Sequence, residues 1–256
     1  MEKQFTLMNK KIFSLLLIVL MCFVITGCKK DIPEGDIKNL VESFNIDNAR
    51  SNIKHGSSTV TSVHYEEGVE LGSITTYTYI DTRDCYYHYS KTVLSGDYYG
   101  NGEDQFMYYE KETISYLNND GLIIALEKTD GIVEEITYRR EDLDTLINYF
   151  YYTNSDYNYY KGGVYYGDYI RANCAKYYDL FSLNDEKNIL TFEVNSISKA
   201  DDGQEILTMH KYSVNEFGMI LDLSTWSMIK ENTDTNSKTT MDCNYNDNFT
   251  KIYNFD

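Results

Sequence analysis

Few residues in this sequence have the type and spacing for chemistry. A thiol, Cys28, closes the run Ile25-Thr26-Gly27-Cys28 directly after an apolar stretch, where it is the nucleophile placed at a membrane surface to accept a lipid. The histidines, His55, His64, His88 and His210, are scattered. His64 and His88 fall on segments that read as strands and could approach each other, although lone strand histidines are more often solvent-facing or satisfied than catalytic. The carboxylate pairs Glu66-Glu67, Glu134-Glu135 and Asp201-Asp202 are adjacent in sequence. On a strand adjacent side chains point to opposite faces, so these pairs make poor acid–base dyads. Asn244, Asn246, Asp247 and Asn248 alternate oxygen ligands loosely as a calcium loop does, but without its glycine pivot or terminal glutamate. No nucleophile elbow, His-Glu-x-x-His or phosphate-binding glycine loop occurs. The expectation is therefore no catalytic residue, no cofactor and no metal, with an envelope hydrolase as the weakest reading.

The other chemical resource is tyrosine. Of 256 residues, 26 are Tyr. Tyr86, Tyr87, Tyr89, Tyr98, Tyr99, Tyr108 and Tyr109 could line a platform for sugars or cell-wall peptide, because a phenol stacks with its face and hydrogen-bonds with its tip. Tyr86, Tyr89, Tyr98 and Tyr108 are the candidate ligand contacts. The alternative is that tyrosine simply suits half-buried strands and is frequent in an AT-rich genome.

Residues 8 to 28 carry two cations, Lys10 and Lys11, then an apolar run from Ile12 to Ile25 broken by Ser14. This is a signal peptide's layout, and the run is short of the roughly 20 apolar residues that a membrane-spanning helix needs. Ile25-Thr26-Gly27-Cys28 resembles the lipobox of bacterial lipoproteins. The resemblance implies diacylglycerol on the Cys28 sulfur, cleavage before Cys28, and acyl chains such as palmitate that hold the protein to the outer face of the cell membrane. Each buried CH₂ then contributes about 0.8 kcal/mol. An uncleaved anchor helix with Cys28 as a plain thiol is the alternative. Glu2 and Phe5 precede the cations, so a start at Met8 is also expected. The organisation that follows is a signal peptide over 1–27, a lipidated tether over 28–35 and one extracytoplasmic domain over 36–256. A tether from Lys29 to Gly35 reaches at most about 25 Å.

The formal charge of the whole chain is −17. A surface that acidic argues against nucleic acid and anionic headgroups as partners. The single proline, Pro33, and the tyrosine excess suggest a low-GC, Gram-positive source. Cys85, Cys174 and Cys243 remain after cleavage; export permits a disulfide among them, and a buried free cysteine also serves as a small hydrophobe. A monomer is expected.

These residues must be positioned by a mostly β framework. Ile37, Leu40, Val41 and Phe44 recur at helical spacing behind Asp36, which can cap that helix. From Ser57 to Tyr138 the period becomes two. Val60–Tyr65, Ser73–Ile80, Cys85–Tyr89, Ile114–Leu117, Leu122–Leu126 and Ile132–Tyr138 read as strands, with Asp120-Gly121 and Asp130-Gly131 as hairpin turns. A second helix is predicted over Arg139–Phe150. Residues 149–178 hold 11 tyrosines and no period, and read either as a loop excursion or as a helix from about Tyr165 to Tyr178. Strands follow at Ile189–Ile197, Glu205–Val214, Gly218–Ile229 and Lys238–Tyr253, turning at Asp202-Gly203 and Asn215–Gly218.

Helix, meander, helix with an excursion, meander, behind a lipobox, is similar to the half-barrel of the lipoprotein-carrier family, which includes mycobacterial lipid-binding lipoproteins. The resemblance covers residues 36 to 253 as an order of elements. It implies an α+β fold: a curved antiparallel sheet, half-barrel-like, with two or three helices packed on one face and an apolar cavity for an acyl chain or similar small molecule. It transfers no ligand contact to any residue. A flat α+β sheet with helices on one face fits the same order. The partners expected are thus the membrane through its anchor and an apolar ligand, or else a cell-wall polymer bound through exposed tyrosines.

Overall fold

The period-two stretches form strands because β-branched and aromatic side chains fit a pleated, half-buried surface. In the computed structural model the described residues are 34–96, 108–151, 164–177, 180–199, 203–229 and 235–255. Residues 1–27, Cys28, most of the tether and Tyr98 lie outside them. The chain divides into two compact units, Met1–Asp36 and Ile37–Asp256, and the fold below is that of the second.

Helix α1 spans Glu34–Ser43 and α2 spans Ile46–Asn52. Ile37, Val41 and Phe44 are buried, as their spacing requires. The helical run breaks at Asn45, whose side chain accepts hydrogen bonds from the backbone of Asp47 and Asn48 and starts α2 afresh. Asp36 sits inside α1 rather than at its cap.

Strands β1 His55–Glu66, β2 Val69–Asp81, β3 Tyr87–Gly96, β4 Tyr109–Leu117, β5 Ile123–Thr129 and β6 Ile132–Tyr138 form the first meander. The second is β7 Phe181–Leu183, β8 Ile189–Lys199, β9 Glu205–Asn215, β10 Ile220–Ile229 and β11 Thr235–Asn244. Antiparallel pairing of β1 with β11 joins them into one 11-stranded sheet, ordered β6-β5-β4-β3-β2-β1-β11-β10-β9-β8-β7. In this order β6 and β7 lie at opposite ends, so the sheet is not closed.

Turn chemistry explains the connections. Asp130 and Gly131, with φ of 50° and 81°, make the two-residue hairpin between β5 and β6. Asp120-Gly121 instead lies in a longer loop, because the Asn118 side chain captures the backbone N–H groups of both Asp120 and Leu122. A 3-10 turn, Arg140–Asp142, leads into helix α3, Leu143–Tyr151, and helix α4 runs over Gly167–Tyr177.

Two expected boundaries move. Strand β3 begins at Tyr87, leaving Cys85 before it. Strand β11 ends at Asn244, whose carbonyl side chain accepts from the Asn246 N–H and turns the chain out of the sheet.

Register shows which face each row serves. Phe181, Phe192, Tyr212, Leu223, Met241 and Val60 pair in succession from β7 to β1 and are all buried. Tyr79, Tyr89, Ile114 and Leu126 form an equally buried row from β2 to β5, but on the opposite face. The arrangement with helices on one face is therefore incomplete. Over the first meander the second face is covered by residues 245–255, a strap of non-regular backbone carrying Phe249, Tyr253 and Phe255.

Candidate functional site

The described residues place the tyrosines in two settings. On β2 and β3 the rings of Tyr77, Tyr79, Tyr87 and Tyr89 project to one face and form a platform, as aromatic stacking would require. Its occupant is the protein's own strap. Phe249 stacks on Tyr79 and Tyr89 with centroids 5.0 and 4.9 Å away, and Tyr253 meets Tyr87 and Tyr116 edge-on at 5.6 and 5.1 Å. The Tyr87 hydroxyl donates to the Ile252 carbonyl and accepts from the Ile252 N–H, while Tyr77 donates to Asp247. Asp247 and Asn244 are thus engaged in holding the strap and its turn.

An ion pair locks the strap to the sheet. Asp81, 1% exposed, accepts from Arg83 at 3.0 and 2.7 Å and meets Lys251 Nζ at 3.1 Å. Burial by itself would raise this carboxyl, but the Arg83 and Lys251 cations outweigh it and hold it well below the usual carboxylate range. Burial pushes the Tyr87 phenol up to about 12, which keeps it neutral and able to donate.

Among the ligand candidates, Tyr89 lies under Phe249 and is 8% exposed, and Tyr86 is 4% exposed. Tyr108 is 68% exposed and donates to Glu110. Tyr86→Ala with Tyr89→Ala would therefore read packing as well as any contact with a wall polymer.

His64 and His88 do not meet. They pair with Gly72 and Ile80, eight residues apart along β2, or about 26 Å. Burial pushes His88 down to about 4, so it stays neutral in the fold. A depressed pKa contributes stability that is fully present above the unfolded value near 6.5 and is lost as pH falls through about 4. Urea unfolding at pH 7 and at pH 4.5 should show a loss to which His88 contributes roughly 2–3 kcal/mol. In His88→Gln the pH-dependent loss should shrink by that amount; an unchanged pH profile would contradict the assignment.

The second setting is a cavity that spacing alone did not reveal. The segment from Val164 to Tyr166 pairs with the start of β10: Tyr165 bridges Met219, Tyr166 N–H donates to Gly218 O, and Ile220 N–H donates to Val164 O. Gly218, at φ 74°, permits this approach, because an added Cβ would lie 2.8 Å from Gly167 Cα. Helix α4 starts from that anchor, and Arg171, paired with Asp168 one turn earlier in the helix, donates to the Phe44 carbonyl and ties α4 to it. Tyr166 and Tyr169 then stand over the buried row of β8–β10. Between them and the sheet is a partly open cavity of about 190 Å³.

Its walls are mostly rings. Tyr166 lies 4.6 Å from Tyr169 and 5.0 Å from Tyr212, and Phe192 lies 4.9 Å from Tyr212. Val194 and Leu223 add aliphatic surface, and among the described lining residues Ser196 and His210 are the polar members beyond the phenols. His210 Nδ1 is 3.2 Å from Thr225 Oγ1, and burial pushes the ring's pKa down. The tyrosine-rich 149–178 stretch was the sequence signal for this site, since it supplies Tyr166 and Tyr169; the lack of period hid its role.

The described cysteines Cys85 and Cys243 are free thiols, and burial pushes Cys243 up to about 12. Among the described residues no group of side chains could hold a metal ion, and no helix is long and apolar enough to cross a membrane.

No family model and no curated protein sequence matches the chain. Among solved structures it is similar to a β-barrel-like protein, a domain of unknown function (DUF1849), from Brucella abortus. Identity is 8% and the TM-score 0.26, over 75% of this chain and 96% of that one.

Proposed function

We propose that this protein is a lipid-anchored extracytoplasmic lipoprotein whose domain binds one small apolar ligand in the cavity beneath α4. The carrying observation is the ring-lined pocket itself: binding sites are concave and lined by aromatic side chains with a few placed polar groups. The lipobox-like Ile25–Cys28 supports the address, and the half-barrel order of elements supports a sheet that curves about a ligand.

Size narrows the ligand. A dry cavity near 150 Å³ accepts benzene, so about 190 Å³ suits one ring or a short chain and is too small for a diacyl lipid. The carrier reading is therefore proposed for a cargo smaller than a membrane lipid.

Methyl-labelled full-length protein in lipid nanodiscs, titrated with toluene, tests this. Saturable shifts of the Val194 and Leu223 methyl signals are expected, with methyls far from the cavity unmoved. Shifts that never saturate, or that are spread over the whole sheet, would overturn cavity binding.

A further inference from the structure

Resting on that reading, we infer that the cavity selects a neutral, single-ring compound carrying one hydrogen-bonding group, of the phenol class, with its ring among Tyr166, Phe192 and Tyr212 and its polar group on His210. The inference rests on how the lining residues are ordered along the strands.

Phe192, Tyr212 and Leu223 form one cross-strand row, and Val194, His210 and Thr225 form the next on the same face. Two residues separate the rows, about 7 Å, or roughly the length of a substituted ring. The first row is buried, at 5%, 3% and 3% exposure, whereas Ser196, two residues beyond Val194 of the second row along β8, is exposed. Polarity thus increases from floor to mouth. A ring seated on the first row carries its substituent to the second.

Ring walls favour a ring guest. Aromatic pairs at centroid distances of 4.5–7 Å contribute about 0.5–1.5 kcal/mol beyond the area they bury. The host rings already stand in that range of one another.

His210 supplies the polar contact. Its Nδ1 is engaged by Thr225, and among the described residues Nε2 has no protein partner. With Nδ1 donating to the Thr225 oxygen, Nε2 is an acceptor for a hydroxyl or an N–H; with Thr225 donating, Nε2 is a donor for a carbonyl or ether. Either state suits an uncharged substituent.

Charge excludes the neighbouring ligand classes. No lysine or arginine is among the described lining residues to balance an anion, and the chain's net charge of −17 opposes one at long range. Among the described lining residues no carboxylate accompanies the rings, as one would around a quaternary ammonium.

The test compares four probes on full-length protein in nanodiscs, read at the Val194 and Leu223 methyls: p-cresol, toluene, 4-methylbenzoate and tetramethylammonium. p-Cresol should bind roughly tenfold more tightly than toluene, the worth of one hydrogen bond. In His210→Phe, with wild-type strand signals elsewhere, that advantage should vanish while toluene still binds. Equal binding of p-cresol and toluene to the wild type overturns the phenol assignment and leaves the apolar cavity standing. Tightest binding of 4-methylbenzoate or tetramethylammonium overturns it in favour of an anion or a cation. Failure of every probe overturns the cavity reading itself.

Discussion

Phe249→Ala is expected to destabilise the domain by about 3 kcal/mol, the low end of the range for losing a packed phenylalanine, because the ring is only partly buried. The loss combines two contributions. The stacked contacts with Tyr79 and Tyr89 disappear, and the buried phenols beneath them are opened to water. With domain stabilities of about 5–15 kcal/mol, this is a substantial share. Urea unfolding followed by circular dichroism measures it, and limited proteolysis should cut the 245–255 segment faster in the variant. Phe249→Leu should recover part of the stability, since it restores apolar burial without stacking. A loss below about 1 kcal/mol in Phe249→Ala would show that the sheet holds its second face closed without the strap.

The second large effect concerns Cys28, under the proposed lipid anchor. Cys28→Ala should lower labelled palmitate on the protein to background, while Cys243→Ala, which leaves the anchor untouched, should keep the label. Intact mass should show the wild-type chain starting at residue 28 with lipid added, and Cys28→Ala retaining the preceding residues. The expected contrast is at least a hundredfold in label. One acyl chain gives only marginal membrane binding, and a second converts it to firm anchoring. Label that persists in Cys28→Ala, or a wild-type mass that still includes residues 1–27 without lipid, would overturn the anchor in favour of a plain apolar segment. With Cys28 lipidated, a tether over Lys29–Gly35 would keep the start of the domain within about 25 Å of the membrane face.

Much of the sheet was legible locally. Strand β6 matches its predicted bounds, Ile132–Tyr138, because alternation ends there at Asp130-Gly131 on one side and at Arg139 on the other. Helix α3 and the burial of Ile37, Val41 and Phe44 follow from the 3.6-residue period in the same way. Each depends on neighbours a few positions apart. Strand β7, three residues long, lacked such a signal; β11 stops early because the Asn244 side chain takes the Asn246 N–H and the Asn-Asp-Asn run that follows favours a turn over a strand.

What only the tertiary structure decided is which distant surfaces meet. Pairing of β1 with β11 brings together residues nearly the whole domain apart, and no local period encodes a partner at that separation. The same holds for the strap, which converts a tyrosine platform that could have met a sugar into an interior contact. It holds again for the cavity, whose rings come from the residue before α4, from α4 itself and from two strands of the second meander. Cys28 is the opposite case. The expected reaction at that thiol is recognised on a linear stretch of apolar and small residues, so its reading needs no fold and comes from the sequence by itself.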